Sequence, residues 1–192
     1  MSFAGLVLVG GRSRRMGLDK AALPAPDGAP GTLLDHQIAT LRHAGAEPVL
    51  LAGRADQTNP RPDLCWLTDA PEAVGPLAGL LTGLKACPHP WLAVLAVDMP
   101  RFPAAEFARW HRTADPKSGW IIAGPHGYEP LAALYPRGAL APMQELAARG
   151  VFRLQDQIKN LIQSGVLQVC QKSTLQTARL ANWNTPDDLR QS

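Results

Sequence analysis

Apolar positions along the chain switch between two periods. Residues 6–9 form a short unbroken apolar run, as expected of a strand buried on both faces. Leu34, Ile38 and Leu41 then recur at i, i+4 and i+7, which predicts a helix closed by Gly45. Residues 49–51 read as a second strand. Leu77, Leu80, Leu81 and Leu84 predict another helix, stopped before Pro88. Residues 91–97 are the longest unbroken apolar run and predict a central strand. Pro103 opens a helix carrying Phe107 and Trp110. Further on, residues 121–122 and 131–135 read as strands. Leu140, Met143, Leu146 and Ala147 make a helical face ended by Gly150; Leu154, Ile158, Leu161 and Ile162 make the next, ended by Gly165. Residues 166–169 read as a last short strand. Thr185 and Pro186 mark the N-cap and first turn of a terminal helix.

Strand and helix alternate through residues 1–115. This predicts an α/β fold of three layers, α/β/α, around a mostly parallel twisted sheet. One domain is expected over 1–192, because the Pro/Gly-rich stretch 24–31 is too short to separate two. Residues 171–181 are polar and weakly patterned, as in a surface excursion.

The chain of 192 residues is 46% hydrophobic, which suits a packed core and argues against disorder along its length. Its net charge of +3 agrees with anionic ligands and equally with a small surplus of surface arginine. With no clustered basic stripe carrying interleaved aromatics, nucleic-acid binding is disfavoured. No apolar stretch is long enough to span a membrane, and the N-terminus lacks signal-peptide features, so a cytoplasmic protein is expected. Cys65, Cys87 and Cys170 are far apart and form no C-x-x-C pair, which fits reduced thiols and no zinc site.

Candidate chemistry begins after the first apolar run, at Gly10-Gly11-Arg12-Ser13-Arg14-Arg15-Met16-Gly17-Leu18-Asp19-Lys20. Adjacent glycines let backbone N–H groups approach an anion, and Arg15 and Lys20 add positive charge beside them; a triphosphate needs both. A tight turn with solvated arginines is the plainer alternative. The segment is neither a Walker loop nor G-x-G-x-x-G. Residues 8–20 closely resemble L-x-G-G-x-S-x-R-M-G-x-D-K, the signature of the molybdenum cofactor guanylyltransferases of the NTP-transferase superfamily. Val9 stands where that family usually has Ala.

The resemblance continues along the chain. Gly75-Pro76-Leu77-Ala78-Gly79 is similar to the family's G-P-L-A-G, preceded by Asp69, which by resemblance reads the guanine edge; as a plain residue it would be a turn ahead of Ala70-Pro71. Asp98-Met99-Pro100 resembles D-M-P, whose Asp is a metal ligand; alone, Asp98 reads equally as a helix cap. Asn182-Trp183-Asn184-Thr185-Pro186-Asp187-Asp188-Leu189 resembles N-x-N-T-P-E-D-L, which implies that Asn182 and Asn184 lie near metal and phosphates. Residues 127–135 resemble the acceptor-side strand. There Glu129 replaces the family's His or Gln, and a carboxylate repels a phosphorylated pterin. Gly53-Arg54 stands in place of Asn-Arg.

The resemblance implies a Rossmann-like nucleotidyltransferase fold, with a nucleotide-binding part over about 1–103 and an acceptor side over about 104–192. It implies Mg²⁺-dependent transfer of GMP from GTP to the phosphate of a molybdopterin-type acceptor, and transient contacts with other molybdenum cofactor proteins. Arg15, Lys20 and Asp98 would be catalytic, with Asp98 on the metal; Leu8, Val9, Gly10, Gly11, Lys20, Asp69, Gly75, Asn182 and Asn184 would hold the nucleotide. A transferase using CTP or another phosphorylated acceptor, and a catalytically silent nucleotide-binding homologue, remain alternatives. The five histidines, His36, His43, His89, His111 and His126, form no Ser/His/Asp arrangement and read as surface or packing residues. Of the five tryptophans, only Trp183 is expected near a ligand.

Overall fold

The computed structural model describes residues 2–9, 20–54, 56–57, 59–70, 73–124, 127–170 and 183. Seven strands form one sheet: β1 (Phe3–Leu8), β2 (Ala46–Gly53), β3 (Cys65–Thr68), β4 (Trp91–Ala96), β5 (Gly119–Gly124), β6 (Gly127–Pro136) and β7 (Leu167–Cys170). Their order is β3-β2-β1-β4-β6-β5-β7. Every pairing is parallel except those of β6, which runs antiparallel to both β4 and β5. Among the described residues, five helices cover the sheet: α1 (Leu33–His43), α2 (Pro76–Ala86), α3 (Ala104–Thr113), α4 (Leu140–Ala148) and α5 (Leu154–Gln163).

The central strands are apolar at every position because both faces are covered. All six residues of β1 and all six of β4 are buried. Alternate residues feed two cores. Phe3, Val7, Trp91, Ala93 and Leu95 pack under α1 and α3 with Leu34, Ile38, Phe107 and Trp110. Ala4, Leu6, Leu8, Leu92 and Val94 pack under α2, α4 and α5 with Leu77, Leu81, Met143 and Ile158. His111 packs its ring against Phe3 and Trp91, at centroid distances of 4.7 and 5.1 Å.

Helix ends follow local chemistry. Thr32 caps α1 in a reciprocal box: the Asp35 N–H donates to Thr32 Oγ1 at 3.2 Å, and the Thr32 N–H donates to Asp35 Oδ2 at 3.0 Å. Arg61, from the loop between β2 and β3, donates to the other oxygen of Asp35 at 2.6 Å and also pairs with Asp63, tying that loop to the start of α1. Together these contacts hold the Asp35 carboxyl below its ordinary value, the Thr32 backbone hydrogen bond contributing most.

The structure departs from the expected elements in three places. Strand β3 was not anticipated, since its ends are exposed and it carries no long apolar run. Strand β2 begins at Ala46, before the expected 49, and β6 begins at Gly127, four residues before the expected 131. The expected terminal helix at Thr185 and the excursion over 171–181 lie outside the described residues. Among the described residues no helix is long and apolar enough to cross a membrane.

Candidate functional site

The chain runs outward from β1 to β2 to β3, then returns to place β4 on the other side of β1. The connections leaving β1 and β4 therefore diverge, and a crevice opens beyond their C-terminal ends, where open α/β sheets bind ligands. Leu8 ends β1 opposite Ala96 at the end of β4. Lys20 and Asp98 enter from the loops that follow.

Lys20 Nζ lies 3.0 Å from Asp98 Oδ2, across 78 residues of sequence. The two side chains are 16% and 26% exposed, so the pair is partly screened from water but open to a ligand. Lys20 begins a short 3-10 turn whose next residue, Ala21, is buried in the α1-side core. That anchor aims the lysine at the crevice.

The Asp98 loop is held from behind by α1. Gln37, fully buried, donates from Nε2 to the Ala96 carbonyl at 2.8 Å, and His36 Nε2 bonds the Pro100 carbonyl at 2.8 Å. Met99 and Phe102 are buried below. From the far end of the chain, the Trp183 N–H donates to the Asp98 carbonyl at 2.9 Å. The Trp183 ring is 5% exposed within the α1-side core, with Arg101 stacked 5.9 Å from its centroid. Trp183 is therefore a buried anchor bonded to the Asp98 backbone, whereas its sequence context leads one to expect it near a ligand.

Sequence reasoning missed Gln37 and His36. His36 is not a surface or packing residue but a tether of the Asp98 loop. A signal existed for Gln37: it is a polar residue three positions after Leu34 on the apolar stripe of α1, and a buried amide needs partners.

Asp69 follows β3 and continues its pairing, with its N–H on the Gly53 carbonyl at 2.9 Å. Its half-buried carboxyl is pushed above the ordinary carboxylate range by burial, with Arg54 opposing. It borders α2 at Gly79: a Cβ there would stand 3.1 Å from Asp69 Oδ1 and 2.5 Å from Leu8 Cδ2. The glycine lets the helix approach the end of β1 and leaves the carboxylate its space. Gly75 caps α2 at φ 61°, ψ −147°, with Pro76 in the first turn.

Leu8 and Val9 turn their side chains into the core, and the Val9 N–H is used by the Ala52 carbonyl at 2.9 Å. Gly53 sits beneath Trp66, whose ring would lie 2.6 Å from a Cβ at that position. This packing explains a glycine where the resembled family has Asn. Lys20 and Asp98 thus come together, with Leu8 and Val9 at the end of β1, and Asp69 and Gly75 flank α2. Gly10, Gly11, Arg15, Asn182 and Asn184 lie outside the described residues.

Comparison with known proteins agrees with this geometry. The family model described as the MobA-like NTP transferase domain matches residues 5–164. A protein of Opitutus terrae named "Probable molybdenum cofactor guanylyltransferase" is 40% identical over 190 residues, covering 97% of this chain and 93% of that one. Its namesake in Chloroflexus aggregans is 33% identical, covering 99% and 93%. The crystal structure of molybdopterin-guanine dinucleotide biosynthesis protein A from Archaeoglobus fulgidus superposes with a TM-score of 0.74 at 21% identity, covering 98% of this chain and 95% of that one. The three-layer sheet, the crevice at its switch point and a family match along most of the sequence agree: the chain belongs to the MobA-like NTP transferase family.

Proposed function

We infer that this protein transfers GMP from GTP to the terminal phosphate of a molybdopterin-type acceptor, with release of pyrophosphate. The observation that carries the reading is the Lys20–Asp98 pair, 3.0 Å apart at the switch-point crevice. A cation and a hard carboxylate held together there suit a polyphosphate and its divalent ion. The names of the Opitutus and Chloroflexus relatives support GTP and the molybdenum cofactor.

An oxygen of the acceptor phosphate attacks the α-phosphorus in line; the bond from that phosphorus to the bridging oxygen breaks, and pyrophosphate departs. The attacking oxygen is already anionic, so no protein nucleophile is needed and the protein's part is positioning and charge neutralisation. Lys20 offsets charge gathering on the α-phosphate and the leaving group. Gly10, Gly11 and Arg15 complete the phosphate cradle, and the main chain at Leu8 and Val9 borders the nucleoside. The Asp69 carboxylate accepts from guanine N1–H and N2–H₂. Gly75 opens α2 beside the nucleotide, and Asn182 and Asn184 serve the phosphates and their metal, as the family resemblance implies.

Asp98 fits Mg²⁺: the ion takes one or two carboxylates with phosphate oxygens and water, and this carboxylate already accommodates a cation at 3.0 Å. When bound, Mg²⁺ would neutralise and orient phosphate oxygens. The nucleotide half spans about 1–103 and the acceptor half about 104–192. We place the protein in the cytoplasm, in transient contact with other proteins of cofactor assembly. The test is pyrophosphate release with Mg²⁺ and a molybdopterin acceptor, comparing GTP with CTP. Turnover with GTP is expected, and equal or greater turnover with CTP would overturn the nucleotide assignment.

A further inference from the structure

The acceptor half carries a side chain that the mechanism above leaves unused. Leu95 of β4 pairs with Ala132 of β6. Asp98 lies three residues beyond Leu95, and Glu129 three beyond Ala132 in the opposite chain direction, so both lie at the same end of the sheet. The β5–β6 pairing slips there. Ile121 faces Ala133, yet Ala123 faces Tyr128, so five steps on β6 answer two on β5. Glu129 lies in this three-residue bulge, and bulges re-aim side chains near sites.

The bulge is fixed on both sides of Glu129. The Tyr128 N–H donates to Gln155 Oε1 at 3.2 Å, and the Tyr128 carbonyl accepts from Gln155 Nε2 at 2.7 Å. The buried Tyr135 hydroxyl donates to the Pro130 carbonyl at 2.8 Å. The half-buried Glu129 carboxylate lies across Gly124, where any Cβ would overlap Oε1. Two clamps and a glycine-shaped space therefore hold a carboxylate at the crevice end of the sheet.

A carboxylate only accepts hydrogen bonds, and it repels phosphate. It selects the end of an acceptor that offers paired N–H donors. A 2-amino-4-oxo pterin ring offers that pair, N3–H beside the 2-amino group. We propose that Glu129 is the residue that reads the pterin edge of the acceptor, orienting its phosphate away from β6 and toward Lys20. The proposal rests on the acceptor class inferred above. It also reverses the expectation that this carboxylate opposes the acceptor, since it opposes only the phosphate end.

Two measurements test it. Calorimetric titration, which needs no turnover, compares a 6-(phosphooxymethyl)pterin with the matching lumazine, in which a carbonyl replaces the 2-amino group. The wild-type chain is expected to bind the pterin about tenfold or more tightly, and Glu129→Gln and Glu129→Ala to lose that preference. In steady-state transfer assays the same variants raise acceptor KM about tenfold and leave GTP KM unchanged. Equal binding of the two probes by the wild type, or an unchanged preference in both variants, overturns the proposal. A Glu129-dependent preference in a protein that transfers no GMP would overturn the proposed reaction and leave this residue's assignment standing.

Discussion

The two halves of the sheet deliver residues to the crevice in opposite ways. In the parallel half, β1 and β4 end there, so Asp98 follows the last residues of a fully apolar strand. In the antiparallel half, β6 begins there, so Glu129 sits near the start of a strand, beside Gly127, Tyr128 and Pro130. Reversing one strand brings its opening residues to the end of the sheet where its parallel neighbours finish. The same end carries the bulge, where five steps on β6 answer two on β5 before the pairing resumes. The parallel half places a lysine–carboxylate pair there, and the reversed half a carboxylate lying across Gly124.

The comparison breaks most sharply at Lys20 and Asp98. Lys20→Ala should lower kcat by about 10²–10³, as removal of a preorganised charge stabiliser does. As a partly exposed ion pair it should cost only about 1 kcal/mol or less of stability, read by chemical denaturation. Asp98→Ala should abolish metal-dependent turnover, and retained activity in either variant would remove the parallel half's claim to the chemistry.

Asp69→Asn should lower kcat/KM for GTP by about 10–100-fold while narrowing the preference over other NTPs. Its stability effect should have the other sign. Burial raises the Asp69 carboxyl above its unfolded value, so folding favours the protonated form and stability falls as pH rises through the folded value. Asn relieves that cost at neutral pH and has no such cost to relieve near pH 3. Melting curves of both proteins at the two pH values check this, and an unchanged difference between them would contradict it.

Gly124→Ala sharpens the other side of the comparison. A methyl there must displace the Glu129 carboxylate, so acceptor KM should rise severalfold with GTP KM unaffected, in steady-state assays varying each substrate. Gln37→Leu reads the scaffold shared by both halves. It leaves the Ala96 carbonyl only the Met99 N–H at 3.3 Å and should cost about 1 kcal/mol in denaturant titration.

The parallel half was the more legible in sequence. Strand β4 announces itself as an unbroken apolar run and α1 as a 3.6-residue repeat, because burial on two faces or on one stripe writes itself into side-chain type. Asp98 follows that apolar run directly, and the D-M-P resemblance supplied its expected role. Strand β3 could not be read in this way, since an edge strand with exposed ends needs hydrogen bonds more than apolar side chains. The start of β6 was hidden for a related reason: its backbone finds Gln155, Tyr135 and β5, so Tyr128, Glu129 and Pro130 carry no apolar alternation. Resemblance supplied the roles of Lys20 and Asp69, whereas His36 and Gln37 act through backbone carbonyls and matched no motif.

The hydrogen bond from Trp183 to Asp98 gives the fold an order of assembly in time. A chain emerging from the ribosome can complete the seven described strands once residue 170 is out, yet the β4 loop still lacks its partner. Only when residue 183 follows can the tryptophan slot beneath Arg101 and finish the wall of the crevice. Readiness for substrate thereby trails completion of the sheet, and a nascent chain that has paired its described strands still carries an unfinished site.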